Sequence, residues 1–112
     1  MLIYKIFRRH EWNDFRAAGH TRGAPVDLAD GFIHLSTAAQ VAETAARHFS
    51  RESDLVLVAV RADGLGADLR WEPSRGGALF PHLYRALTDA DVVWDKSLPL
   101  GATGHIFPEG ML

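Results

Sequence analysis

Residues 54–62 read DLVLVAVRA, an almost unbroken Leu-Val run closed by a charge at either end. A half-exposed strand alternates apolar with polar residues, so a continuous run of β-formers this short reads as a strand covered on both faces. Working outward toward the N-terminus, FIHLS at 32–36 reads as a short strand. Thr37 with Gln40 matches a capping box, which starts a helix running to about His48 or Phe49. Ala38, Val41, Ala42, Ala45, Ala46 and Phe49 give that helix one face of mostly small residues, suited to close packing on a sheet. Residues 19–31, GHTRGAPVDLADG, show no periodicity and are expected to form an irregular, functional excursion. Trp12, Phe15 and Ala18 recur at helical spacing before Gly19, and LIYKIF at 2–7 alternates as a strand.

Toward the C-terminus, DGLG at 63–66 is a turn signal and DLRWEP at 68–73 a strand stopped by Pro73. SRGGALFP at 74–81 reads as flexible, followed by strands at 82–87 (HLYRAL) and 91–100 (DVVWDKSLPL). The tail from about 101 carries no pattern. Two helices in the N-terminal half followed by strands in succession predict a single α+β domain over residues 1–112.

Composition narrows the function classes. The 112 residues are 47% hydrophobic and 23% charged, as in ordinary globular chains. A net charge of −2 gives no electrostatic footprint for duplex DNA or an anionic membrane. No cysteine is present, which removes thiolate nucleophiles and cysteine-held metals. The N-terminal segment has no signal-peptide apolar core, so a cytoplasmic location is expected. The six histidines show no metal-binding spacing, and no metal is expected. The chain contains no G-x-S-x-G elbow, no G-x-G-x-x-G and no P-loop.

Three constellations could carry chemistry. In an extended strand His34 and Ser36 point the same way, beside the helix capped by Thr37, and would form a polar corner able to hold ribose hydroxyls or a pyrophosphate. The same residues also fit a half-buried histidine and a simple cap. His82 and Tyr84 share a strand face, where the histidine could act as general acid or base and the tyrosine could stack on a planar ring; an aromatic packing pair is the alternative. Arg70 and Glu72 share a face opposite Leu69 and Trp71, so Glu72 could stabilise a developing cation and Trp71 could wall a pocket, unless Arg70 only forms an exposed ion pair.

IYKI at 3–6, DGFIHLSTAAQVAETAARHF at 30–49 and LRWEPSRGGALFPHLY at 69–84 closely resemble the family of small bacterial proteins known as domain of unknown function 952. The likeness covers roughly residues 2–98. It implies an ADP-ribosyltransferase-like fold, a split, bent, mainly antiparallel sheet that grips NAD in a cleft. By that resemblance His34 would bind the adenosine ribose, Tyr84 would stack on nicotinamide and Glu72 would support an oxocarbenium-like transition state. The order differs from the histidine-type transferases, since Glu72 precedes Tyr84. The resemblance therefore implies a nucleotide-binding protein with His34, Glu72 and His82 as candidate catalytic residues. His34, Ser36, Thr37, Trp71, Tyr84 and Arg85 are the candidate ligand contacts, with NAD as the candidate ligand and a small-molecule nucleotide as the partner. A non-enzymatic interaction module using Trp71 or Trp94 stays open, as does an enzyme acting on a small phosphorylated or RNA-linked substrate through His82 and Arg85.

Overall fold

The computed structural model describes residues 1–112, the side chain of Arg75 excepted. In chain order the first elements are β1 (Leu2–Arg8), α1 (Arg9–Ala18), β2 (His20–Thr21), α2 (Pro25–Asp30), β3 (Ile33–His34) and α3 (Ala38–His48). There follow β4 (Leu55–Arg61), β5 (Leu69–Pro73), β6 (Leu79–Leu83), β7 (Leu87–Thr88), β8 (Val92–Leu98), β9 (Leu100–Gly101) and β10 (Gly104–His105).

β4 is the middle strand of an antiparallel sheet of order β1-β4-β8. Its Leu-Val run is explained by what lies on either side. Val56, Val58 and Val60 join Ile3 and Phe7 of β1, Trp12 and Phe15 of α1, and Leu83 and Leu87 in one core. Leu55, Leu57 and Ala59 join Tyr4, Ile6, Leu98 and the Val41 and Ala45 face of α3 in the other. Each residue of the run is therefore buried, and the periodicity that would mark a one-sided strand disappears.

A second antiparallel sheet, of order β3-β6-β5, meets the first where Tyr4 and Ser36 exchange backbone hydrogen bonds of 2.8 and 2.9 Å. The α+β class and the antiparallel pairing agree with the sequence reading. The segment 19–31 departs from it, because it holds a third helix and a short strand. Pro25 opens α2, where its missing N–H costs nothing, and Gly31 (φ 84°) closes it in the left-handed conformation. β6 starts three residues earlier than expected. Pro81 suggested a loop, yet it pairs with Trp71 in the strand and its carbonyl accepts the Leu35 amide at 3.1 Å. In the tail, β9 and β10 pair as a small hairpin. No helix among the described residues is long and apolar enough to cross a membrane.

Candidate functional site

Alternation sorts the second sheet into two faces. Ile33, Leu35 and Leu83 enter the core. Phe32 and His34 from the β3 segment, His82 and Tyr84 from the β6 segment, and Arg70 and Glu72 from β5 share the opposite face, with His82 directly opposite both His34 and Arg70. The two imidazoles have ring centroids 5.5 Å apart, and the Phe32 ring lies against His82, His34 and Tyr84 at 4.1, 4.6 and 5.2 Å.

His34 is held by α2. Asp27 sits at the third helical position, where its Oδ2 accepts the Ala24 amide at 2.7 Å and so caps the helix start. That oxygen also accepts from Lys5 Nζ at 2.8 Å, while Oδ1 accepts from the His34 amide at 3.0 Å and from His34 Nδ1 at 2.6 Å. A carboxylate cannot donate, so Nδ1 carries the proton. Burial pushes the Asp27 carboxyl up, but the His34 hydrogen bond and the Lys5 ammonium outweigh it and hold the group at about 2. Nε2 of His34 faces away from Asp27, toward Asp30 Oδ2 at 3.0 Å.

His82 has its own carboxylate. Glu72 Oε1 accepts from His82 Nδ1 at 2.8 Å and from the Tyr84 hydroxyl at 2.7 Å. Those bonds, the tyrosine's first, lower the Glu72 carboxyl below its ordinary value, and the same contact raises the Tyr84 phenol. The Arg70 guanidinium stacks on the Tyr84 ring at 4.4 Å.

A cleft of about 960 Å³ opens at the junction of the two sheets, between β1, α2 and α3. His34, Ser36 and His82 line it, together with Lys5, Arg8, Asp30 and Arg47. The sequence-derived candidates Thr37, Trp71, Glu72, Tyr84 and Arg85 lie outside that lining. The Thr37 amide donates to Gln40 Oε1 at 3.1 Å, an arrangement that starts α3. Trp71 alternates to the face opposite Glu72 and is 39% exposed. Arg85 is committed to Asp91 by two hydrogen bonds of 2.8 and 2.9 Å. Glu72 bonds His82, which lines the cleft, and Tyr84 bonds Glu72. Ser36 is buried, with its hydroxyl 3.0 Å from that of Thr44.

The sequence reading missed Asp27, Asp30, Lys5 and Phe32. Two signals were present: APVD places an acid at the third position of a proline-started helix, and a lysine interrupts the apolar LIYKIF strand. Among the described residues no group of three or more His, Cys, Asp or Glu side chains is arranged to hold a metal ion.

A family model described as "Protein of unknown function (DUF952)" matches residues 6–95. The chain is similar to protein CC0527 from Caulobacter crescentus. Its X-ray crystal structure is 54% identical, with a TM-score of 0.90 over 94% of this chain and 92% of that one. Its solution NMR structure is 55% identical, with a TM-score of 0.83 over 93% and 90%. Among curated proteins none matches the chain.

Proposed function

The chain belongs to the DUF952 family of proteins of unknown function, and we propose that its cleft binds NAD or a related ADP-ribosyl nucleotide. The observation that carries this reading is the His34 anchor. Asp27 holds Nδ1–H and the ring plane, so that Nε2 is the ring nitrogen left to face the cleft. The cleft volume, about 960 Å³, falls at the upper end of the range typical of small-molecule sites, which suits a dinucleotide. Arg47, exposed in an ion pair with Glu43, can exchange that carboxylate for a diphosphate at little cost, and Arg8 lines the same cleft in a two-bond pair with Glu52. Two antiparallel sheets meeting at one seam are also compatible with the ADP-ribosyltransferase-like architecture that the sequence resembles.

Transfer is a second reading, favoured by Glu72, whose carboxylate is held ionised by Tyr84 and His82. In that step the bond between ribose C1′ and the nicotinamide nitrogen breaks and nicotinamide leaves neutral with the bonding pair. An acceptor hydroxyl or amine bonds to C1′ and gives its proton to His82, whose ring Glu72 orients through Nδ1.

Calorimetric titration with NAD and ADP-ribose tests binding, with NMR shifts expected in residues 32–38 and 80–86. His34→Ala should weaken binding at least about tenfold while the protein stays folded, since the contact that Asp27 orients is lost. No heat and no shift at millimolar nucleotide would refute the binding claim. Nicotinamide release that is absent from the nucleotide-bound protein would refute transfer alone.

A further inference from the structure

We propose that Asp30 and His34 form a clamp for the vicinal hydroxyls of a ribose, so that the cleft accepts NAD and rejects its 2′-phosphorylated counterpart NADP. This rests on the nucleotide reading above and adds the residue that sets its specificity. Asp30 is the last residue of α2, its side chain is 47% exposed, and it lines the cleft. Among the described residues its ionisable partner is His34, through Nε2 at 3.0 Å.

The pair presents a polar edge: the Nε2 of an imidazole and, next to it, a carboxylate that accepts. A ribose diol matches that edge, because each hydroxyl both accepts and donates. One hydroxyl bonds Nε2, and the O–H of the 2′-hydroxyl donates to the Asp30 carboxylate. An acidic side chain on a ribose 2′-hydroxyl is a general way to choose the unphosphorylated nucleotide. A 2′-phosphate would bring two negative charges against Asp30 and leave the carboxylate without its donor. The lysine and arginines that line the cleft are engaged with other carboxylates: Lys5 is buried against Asp27, Arg8 is bonded to Glu52 and Arg47 is paired with Glu43.

Asp27 supports this edge without entering it. Because its carboxylate holds Nδ1 and the His34 backbone amide, the ring cannot rotate away when Asp30 leaves Nε2 for the diol. The nitrogen that meets the ligand is therefore oriented before the ligand arrives, and Asp30 is the acceptor that moves.

The test is calorimetric titration of the full chain and of Asp30→Asn with NAD and NADP in parallel, with circular dichroism to show that the variant is folded. The wild-type protein should bind NAD at least about tenfold tighter than NADP, the scale of discrimination available to a site that hydrogen-bonds a substrate hydroxyl through a charged acceptor. Asp30→Asn, which keeps the shape and removes the charge, should weaken NAD about tenfold and bring the NAD-to-NADP ratio to about threefold or less. A general structural role for Asp30 would weaken both nucleotides together and leave the ratio where it was. Equal affinities in the wild type, or an unchanged ratio in the variant, would overturn the clamp while the nucleotide reading stands. Failure of both nucleotides to bind would overturn the nucleotide reading and the clamp with it.

Discussion

Asp27→Asn is the substitution on which the anchoring of His34 most directly depends. The wild-type carboxyl sits at about 2 in the fold against an ordinary 3.8. At about 1.4 kcal/mol for each unit of difference, the ionised carboxylate contributes about 2 kcal/mol to folding. The folded value is the lower one, so over this interval the unfolded chain binds more protons. The contribution is therefore complete above about pH 4 and is lost as the pH falls from there through about 2. In the asparagine variant that contribution is gone at every pH, and Lys5 is left buried without its counter-charge. Breaking a buried pair in this way costs about 3 kcal/mol.

Urea unfolding followed by tryptophan fluorescence, at pH 7, 5, 4 and 3, measures both quantities. At pH 7 the variant should be about 3 kcal/mol less stable than the wild type, a large part of the 5–15 kcal/mol typical of a whole domain. The difference should narrow as the pH approaches 3, because the wild type then begins to lose what the variant already lacks. A loss below about 1 kcal/mol at pH 7, or a gap that does not narrow in acid, would show that the Asp27 network is not held together as described.

Three further outcomes are expected. Gly23→Ala should cost at least about 2 kcal/mol in a thermal or urea melt, because Gly23 has φ +97° and a methyl there would collide with the Asp27 side chain; a variant that melts like the wild type would contradict this. Glu72→Gln should bring the Tyr84 phenol down toward its ordinary value, since the raising contact is charged, and an unmoved titration in ¹³C-tyrosine NMR would show that Glu72 does not hold the hydroxyl. Leu57→Ala, at the fully buried centre of β4, should lower stability by about 2–5 kcal/mol in chemical unfolding, and a cost under about 1 kcal/mol would mean that the two-sided core is loosely packed there.

How far the sequence revealed the fold depends on whether a residue's neighbours along the chain decide its structure. β4 was legible because an uninterrupted Leu-Val run has few alternatives, and α3 because Thr37 and Gln40 mark its start. α1 was legible through Trp12, Phe15 and the left-handed Gly19 (φ 80°). β6 was displaced in the reading because Pro81 looks like a strand breaker, and only the partner strands show that its carbonyl and its lost N–H are tolerated at that position. α2 was lost because its six residues are too few to display a period, so its evidence is confined to its ends: Pro25, Asp27 and Gly31.

The site divides along the same line. His34 and His82 were found as residues, but nothing local says that they face one another, since that follows from the register of β3 on β6. Their carboxylates come from different elements, Asp27 from a helix seven residues before His34 and Glu72 from a strand ten residues before His82. Asp27 satisfies two local demands, the start of α2 and the charge of Lys5, and it can orient His34 only because β1 and α2 are packed so that both demands are met at one carboxylate. A residue that completes a helix cap, a buried ion pair and a histidine anchor at once has little freedom to change. The cleft's chemistry is thus tied to the packing of the seam, and a substitution that loosens β1 against α2 should be read first in the position of the His34 ring.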